Sequence, residues 1–371
     1  MPIVLDLAGV APRDVSVRLS PLSELMAVLH LLAEPEHHLD RRREIDQVTR
    51  SVPTDLAREL RDLSPLWARF RARHLMPLSH RSNGELIEEL GALQALEPEA
   101  FLAVSAEVIH GTRSEGFGDL LGSARARTAF VDRCGERSEA RGSLAMELVR
   151  DPGALQRRLV ATLGTCDDLF FARMWQQASS KLLGAQADVR AMLARQSLPV
   201  VMTALHPGVR YFPSTHHVAF DKLQNAFVRA EHRCYVLVPS LYTSPHIVVK
   251  YDSEYAGGSG GLRDLPVVIQ FPAAEMGVTT NESVESIQRR LAVMADASRL
   301  DILRHLVNED CTTTELARRT HMSTPQVSRH LRRLREVGLL ESERDGRLVR
   351  NRLVLRAVYS MGYDLVAGIV R

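Results

Sequence analysis

Lysine is nearly missing from this chain of 371 residues: Lys181, Lys222 and Lys250 are the only three among 47 basic side chains. Arginine is therefore the default cation, and a cluster of arginines has to be judged by its spacing, not by its presence. Cysteine is also scarce. Cys134, Cys166, Cys234 and Cys311 are scattered without C-x-x-C spacing, which argues against a disulfide framework or a paired-cysteine zinc site and reads as reduced, mostly buried thiols. No stretch approaches eighteen consecutive apolar residues, and the N-terminus lacks a basic start followed by an apolar run. Membrane spanning and secretion are both disfavoured, and a cytoplasmic location is expected. The signatures of catalysis are missing too. The glycine cluster Ala256-Gly257-Gly258-Ser259-Gly260-Gly261 lacks the lysine and following helix of a phosphate loop and reads as a flexible loop. There is no H-E-x-x-H, and Ser240 and Cys234 have no neighbouring pattern of base and orienting acid. No catalytic residue, no metal ligand and no cofactor is expected.

What is present divides by its periodicity. A chain of this length predicts two or three domains. From Ser20 to about Ala204 apolar residues recur at helical spacing. Pro21-Leu22-Ser23-Glu24 opens a helix whose run from Leu25 to Ala33 is apolar nearly all round, the pattern of a buried helix. Further helices are expected at Asp55 to Leu63, Leu66 to Arg73, Gly84 to Leu96, Ala100 to Ile109, Ser143 to Val149, Pro152 to Gly164, and Asp167 to Ala194, the last as one long helix. At Pro207-Gly208 the periods shorten. Val209 to Phe212, His217 to Phe220, Cys234 to Pro239, Ile247 to Tyr251 and Val267 to Phe271 read as strands of one small sheet packed with the helices. The expected fold class is α+β: a mainly helical domain over 1–205, a β-rich segment over 206–276, and a third domain over 277–371.

Histidines raise the question of a metal. His206, His216, His217 and His232 lie near one another in sequence, but adjacent strand residues point to opposite faces, so His216 and His217 cannot easily share an ion. A structural role is the simpler reading. The string His37-His38-Leu39-Asp40-Arg41-Arg42-Arg43 reads as a polar surface loop.

The last domain carries the sharpest pattern. Between Leu291 and Leu353 the order is helix, short turn, helix, hairpin. Thr312-Thr313-Thr314-Glu315 and Ser323-Thr324-Pro325-Gln326, eleven residues apart, are two capping boxes. Pro325 falls in a first turn, where its missing N–H costs nothing. Val337-Gly338-Leu339-Leu340 stops the second helix and leads to a strand, a turn at Asp345-Gly346 and a second strand. With Ser323 as N-cap, Val327, Leu331 and Leu334 share one face with His330 beside them, and Gln326, Arg329, Arg332 and Arg333 take the other. In the second strand Val349 and Leu353 oppose Arg350 and Arg352, and Arg344 and Arg347 bracket the tip. A helix in the major groove can read bases while a hairpin wing grips the backbone, and arginine's forked donors suit both. From Asn281 onward sixteen arginines face twelve acids, so a chain of formal charge +2 is +4 here and −2 elsewhere. The expected DNA-contacting residues are Thr324, Gln326, Ser328, Arg329, Arg332, Arg333, Arg344, Arg347, Arg350 and Arg352.

The run Leu291-Ala292-Val293-Met294-Ala295-Asp296-Ala297-Ser298-Arg299-Leu300 resembles the opening helices of ArsR-type bacterial transcriptional regulators. The likeness continues through Glu315-Leu316-Ala317, Val327-Ser328-Arg329-His330-Leu331 and Leu334-Arg335-Glu336-Val337-Gly338-Leu339. It implies a DNA-binding repressor, usually a homodimer paired through terminal helices, here Ser286 to Met294 and Arg356 to Ile369. The paired cysteines of metal-sensing members fall on Thr312 and Thr314, and Asp364 has no histidine to accompany it, so neither metal site of that family is expected. Arg18 to Leu25, Met174-Trp175-Gln176, Leu205 to Tyr211 and Leu237-Val238-Pro239-Ser240 are similar to an uncharacterised region fused to ArsR-type domains in actinobacterial regulators.

Together these readings point to a homodimeric repressor that binds operator DNA, with an N-terminal domain that senses a small molecule or protein partner. The alternative is an enzyme or interaction scaffold that a winged helix localises to DNA.

Overall fold

In the computed structural model the chain divides into two units, Met1–Thr279 and Thr280–Arg371. The residues described are 2–365 apart from 36–37, 39–40, 69, 81–83, 112–118, 207, 223–225, 230–232, 245, 252–264, 274–283, 307–309, 346–347, 355–356, 359–360 and 362–364. The glycine cluster at 256–261 and His232 lie outside them.

The first unit is built on helix α1 (Pro21–Ala33). Ser20 caps it by accepting from the Ser23 amide, and Pro21 occupies the first turn. Every residue from Pro21 to Leu31 is buried, as the all-round apolar run predicts. The unit also contains α2 (Arg42–Ser51), α3 (Thr54–Asp62), α4 (Leu86–Gln94), α5 (Pro98–His110), α6 (Ala124–Gly135), α7 (Glu139–Arg150), α8 (Pro152–Cys166), α9 (Ala172–Leu193) and α10 (Leu198–Leu205). A π-type turn at Asp167–Phe171 joins α8 to α9, so the break expected after Gly164 is absent and the rod runs on. The helix expected at Leu66 to Arg73 does not form. Among the described residues there, single 3-10 turns stand at Ser64–Leu66 and Arg73–Leu75. The physical reason is that buried Arg71 and Arg73 reach partners far away in the chain, Arg71 donating to Thr243 Oγ1 and Arg73 to the Pro266 carbonyl, both at 2.7 Å.

The sheet also differs from expectation. Among the described residues the first unit has two four-stranded sheets, because residues near the N-terminus supply β1 (Pro2–Asp6) and β2 (Val15–Val17). The first sheet has the order β3-β4-β1-β5, with β3 (Val209–Phe212), β4 (His217–Asp221) and β5 (Ala226–Val228). The second has the order β2-β6-β8-β7, with β6 (Tyr235–Ser240), β7 (Val248–Lys250) and β8 (Val267–Pro272). In it β2, β6 and β8 run parallel and β7 antiparallel. Strands β6 and β8 are buried at every position, as parallel strands covered on both faces must be. Alternation divides their side chains. Val236, Val238 and Val268 join the helical core around Trp67, Phe101 and Phe171. Tyr235, Leu237, Val267, Ile269 and Phe271 join Ile3, Leu5, Val218, Phe220 and Met202 in a second core. The Glu24 carboxylate holds the loop leaving β6 against α1, accepting from the Leu241 amide at 2.8 Å, and the Gln270 side-chain amide ties β8 to α1, donating to the Ser23 carbonyl at 3.0 Å.

The second unit contains α11 (Val284–Met294), α12 (Ala297–Leu306), β9 (Cys311–Thr312), α13 (Thr313–Arg319), α14 (Thr324–Glu336), β10 (Leu340–Asp345) and β11 (Leu348–Leu353). Its core joins Ile302, Leu306, Leu316, Val327, Leu331, Leu334, Leu339 and Leu353. Among the described residues no helix of the chain is long and apolar enough to cross a membrane.

Candidate nucleic-acid interface

The local signals of the second unit become specific bonds. Asp296 accepts from the Arg299 amide at 3.0 Å at the start of α12, and the Arg299 guanidinium donates back to the Val293 carbonyl near the end of α11. That closes the turn between α11 and α12. At the start of α13, Thr312 Oγ1 accepts from the Glu315 amide at 3.2 Å and Glu315 Oε2 accepts from the Thr312 amide at 2.8 Å, both halves of a capping box. The Thr312 amide first, and then the Thr312 hydroxyl 3.0 Å from Oε2, hold the Glu315 carboxyl below its usual range. At α14 the Ser323 amide and hydroxyl both donate to Gln326 Oε1, at 2.9 and 2.8 Å. Gln326 therefore commits its oxygen to the cap and keeps its NH₂ for other partners. Gly338 ends α14 with φ +70°, and the Leu339 amide returns to the Leu334 carbonyl at 3.0 Å. A side chain there would be strained, and its Cβ would sit 3.3 Å from Arg290 Nη2.

Val327, Leu331 and Leu334 face inward, and helical geometry places Arg329 opposite that stripe. Thr324, Gln326, Ser328, Arg329, Arg332 and Arg333 are all exposed on α14. Arg332 and Arg333 each reach Glu336, at 3.8 and 3.6 Å. The wing is a regular antiparallel pair from Leu340↔Leu353 to Asp345↔Leu348, and β11 also pairs with β9 through Arg350↔Thr312 and Asn351↔Cys311. Asn351 is buried, donating to the Cys311 carbonyl and accepting from the Ser342 hydroxyl, at 3.1 and 2.9 Å. Arg344 is exposed near the tip; Arg347 lies outside the described residues. Arg350 is half-buried over the Asp310 carbonyl. Arg352 is engaged within the chain, its Nε and Nη2 lying 3.1 and 3.0 Å from Asp310 Oδ2. Sequence alternation found the face of Arg352 and could not find its partner.

Of the histidines, His38 departs from expectation. His206 is buried and accepts from the Gly208 amide at 2.9 Å, while His217 stacks edge-on against Phe227. Neither belongs to a cluster of potential metal ligands. His38, expected in a surface loop, is fully buried, and the arginines after it begin α2. Its Nδ1 meets the Ser244 carbonyl, and its ring packs edge-on against His30 and His246. Among the described residues this trio is the one group of metal-ligating side chains that converges.

Residues 1–277 match DUF5937, a family of unknown function. The chain belongs to the DUF5937 family. Residues 296–342 of this DUF5937 protein match the bacterial regulatory protein, arsR family, so an ArsR-family domain is fused to the DUF5937 region. The HTH-type transcriptional regulator KmtR of Mycobacterium tuberculosis (strain ATCC 25618 / H37Rv) is 34% identical over 74 residues, 20% of this chain and 57% of that protein. The match thus spans little more than half the length of that relative. An ArsR-like transcriptional regulator from Rhodococcus sp. RHA1 shows 28% identity over 22% of this chain and 76% of its own, with a TM-score of 0.21. The homodimeric winged helix-turn-helix DNA-binding domain Mb0332 from Mycobacterium bovis, a possible ArsR-family transcriptional regulator, shows 23% identity over 23% and 81%, with a TM-score of 0.21.

Proposed function

We propose that this DUF5937 protein is a sequence-specific DNA-binding transcriptional regulator, acting as a homodimeric repressor in the cytoplasm. Its first unit works by binding a small molecule or protein partner and not by catalysis. The observation that carries the reading is the exposed face of α14, where Arg329, Arg332 and Arg333 stand opposite a buried stripe within an ArsR-family domain. Arg329, Gln326 and Ser328 read base edges in the major groove, Arg332 and Arg333 reach bases or backbone, and Thr324 meets a phosphate at the helix N-terminus. Arg344, Arg347 and Arg350 grip the flanking phosphates, and Arg352 joins them on leaving Asp310. Regulation requires a ligand of the first unit to bind the DNA-competent and incompetent states with different affinity; a tenfold shift needs about 1.4 kcal/mol of coupling. Against the enzyme reading stands the burial of His30, His38, His246, Glu24 and Arg71, titratable groups closed off from solvent instead of lining an open cleft.

Salt-dependent binding of full-length protein to duplex DNA tests the reading. The affinity should fall steeply with salt, and Arg344→Ala and Arg350→Ala should each flatten the slope of log affinity against log salt by about one. Absence of binding to any genomic duplex at low salt would contradict it.

A further inference from the structure

The three buried histidines come from places far apart in the chain. His30 lies in the last turn of α1, His38 between α1 and α2, and His246 just before β7. Their exposures are 6%, 0% and 9%. One ring nitrogen from each lies within 4.8 Å of the other two. Ring centroids are 5.1, 5.6 and 5.4 Å apart with planes crossing at 85°, 79° and 84°, so the rings meet edge to face around a common point.

For two of the rings the surroundings fix which nitrogen carries the lone pair. His30 Nδ1 lies 3.1 Å from the Trp67 carbonyl and His38 Nδ1 lies 3.1 Å from the Ser244 carbonyl. A carbonyl only accepts, so each Nδ1 carries the proton and each Nε2 holds a lone pair. Metal-bound imidazoles are held in this way, with the far N–H on a backbone carbonyl. The Nε2 atoms of His30 and His246 are buried with no hydrogen-bond partner. A core rarely leaves such atoms unsatisfied, because each costs the desolvation of a polar group.

We propose that His30, His38 and His246 bind a divalent transition ion of the zinc, cobalt or nickel type. Imidazole nitrogen suits these ions, whereas calcium and magnesium demand oxygen. Three nitrogens at the 4.8 Å limit stand about 2.8 Å from their centre, against about 2.0–2.1 Å for a zinc–imidazole bond. The rings have to draw in by less than about 1 Å. Three protein ligands leave the fourth tetrahedral position to a water or small anion enclosed with the metal. Arg71, which donates to Thr243 Oγ1 at 2.7 Å in the loop that carries His246, favours an anion there, and Glu24 offsets its charge. The site lies wholly in the first unit, and the proposal stands apart from the DNA-binding reading.

The test uses full-length protein stripped with a chelator and titrated with Zn²⁺ against a chromophoric competitor, and with Co²⁺ followed by its visible spectrum. The expected result is one equivalent per chain with the intense bands of four-coordinate cobalt. That equivalent should be lost in His38→Gln and His246→Gln and kept in a His216→Ala, His217→Ala double variant. No bound equivalent, retention in the first two variants, loss in the double variant, or the weak bands of six-coordinate cobalt would overturn the proposal. Should the first two variants fail to fold, zinc-edge X-ray absorption of the wild-type protein decides: three imidazoles support the site and fewer than three refute it.

Discussion

Replacing Arg329 by alanine should remove more sequence discrimination than any other single change on α14. Arg329 is exposed opposite the stripe of Val327, Leu331 and Leu334. Arg332 and Arg333 lie 3.8 and 3.6 Å from Glu336, with all three side chains more than half exposed. Such surface pairs are worth about 0–1 kcal/mol, which those two arginines give up before they meet DNA. A bidentate arginine–guanine contact is worth about 1–3 kcal/mol, or roughly 5- to 150-fold in affinity. Arg329→Ala should lose that full factor on the operator, and Arg332→Ala somewhat less. Glu336→Gln should tighten binding, because it frees two arginines and removes an acid from the interface. Fluorescence anisotropy with operator and scrambled duplexes at matched salt measures each effect. If Arg329→Ala weakens both duplexes equally, Arg329 contacts phosphate and the assignment of base reading to it is wrong. If neither duplex responds, α14 is not the reading helix.

Other parts of the chain give sharp expectations. Arg158 joins α8 to α3 and α7 through Glu59 at 2.6 and 2.9 Å and Glu147 at 2.5 Å. Arg158→Met should cost about 1–3 kcal/mol in urea unfolding at neutral pH, between the values of exposed and buried pairs. The Arg158 bonds hold the Glu59 carboxyl below its usual range, so this stabilisation is present above the unfolded carboxylate pKa of about 4.3 and lost as pH falls through the folded value. The gap between wild type and variant should close on acidification, and a gap constant to pH 3 would contradict the assignment. Leu331→Ala, at a fully packed site of the second unit, should destabilise that unit by about 2–5 kcal/mol, read as lost amide protection confined to residues after 280. Burial pushes the Cys166 thiol up to about 12 and the Cys134 thiol up to about 11, and Cys234 alone is partly exposed. A mild thiol reagent should label Cys234 first, and equal labelling of Cys166 in the native protein would refute the packing there.

The legibility of this chain follows the range of its interactions. The caps at Thr312–Glu315 and Ser323–Gln326, the glycine stop at Gly338 and the wing are set by residues three or a few positions apart. Such signals survive in a single sequence. The all-round apolar run of α1 likewise announced its burial. Strand β1 was missed although Ile3, Leu5 and Leu7 alternate, because five residues carry little pattern. The helix expected at Leu66 to Arg73 failed because buried Arg71 and Arg73 answer to partners elsewhere, Thr243 and the Pro266 carbonyl. The histidine trio had no local signal at all. His38 sits in an arginine-rich string that reads as surface, and its partner His246 is 208 positions away. Asp310 hides in the same manner, 42 residues from the Arg352 it neutralises.

The most direct measurement is selection of fragmented genomic DNA by purified full-length protein at near-physiological salt, with an Arg329→Ala, Arg332→Ala double variant in parallel. Enrichment of an inverted repeat by the wild-type protein alone is the predicted result, as a two-fold dimer reading bases through α14 requires. Equal, weak recovery by both proteins would contradict the account.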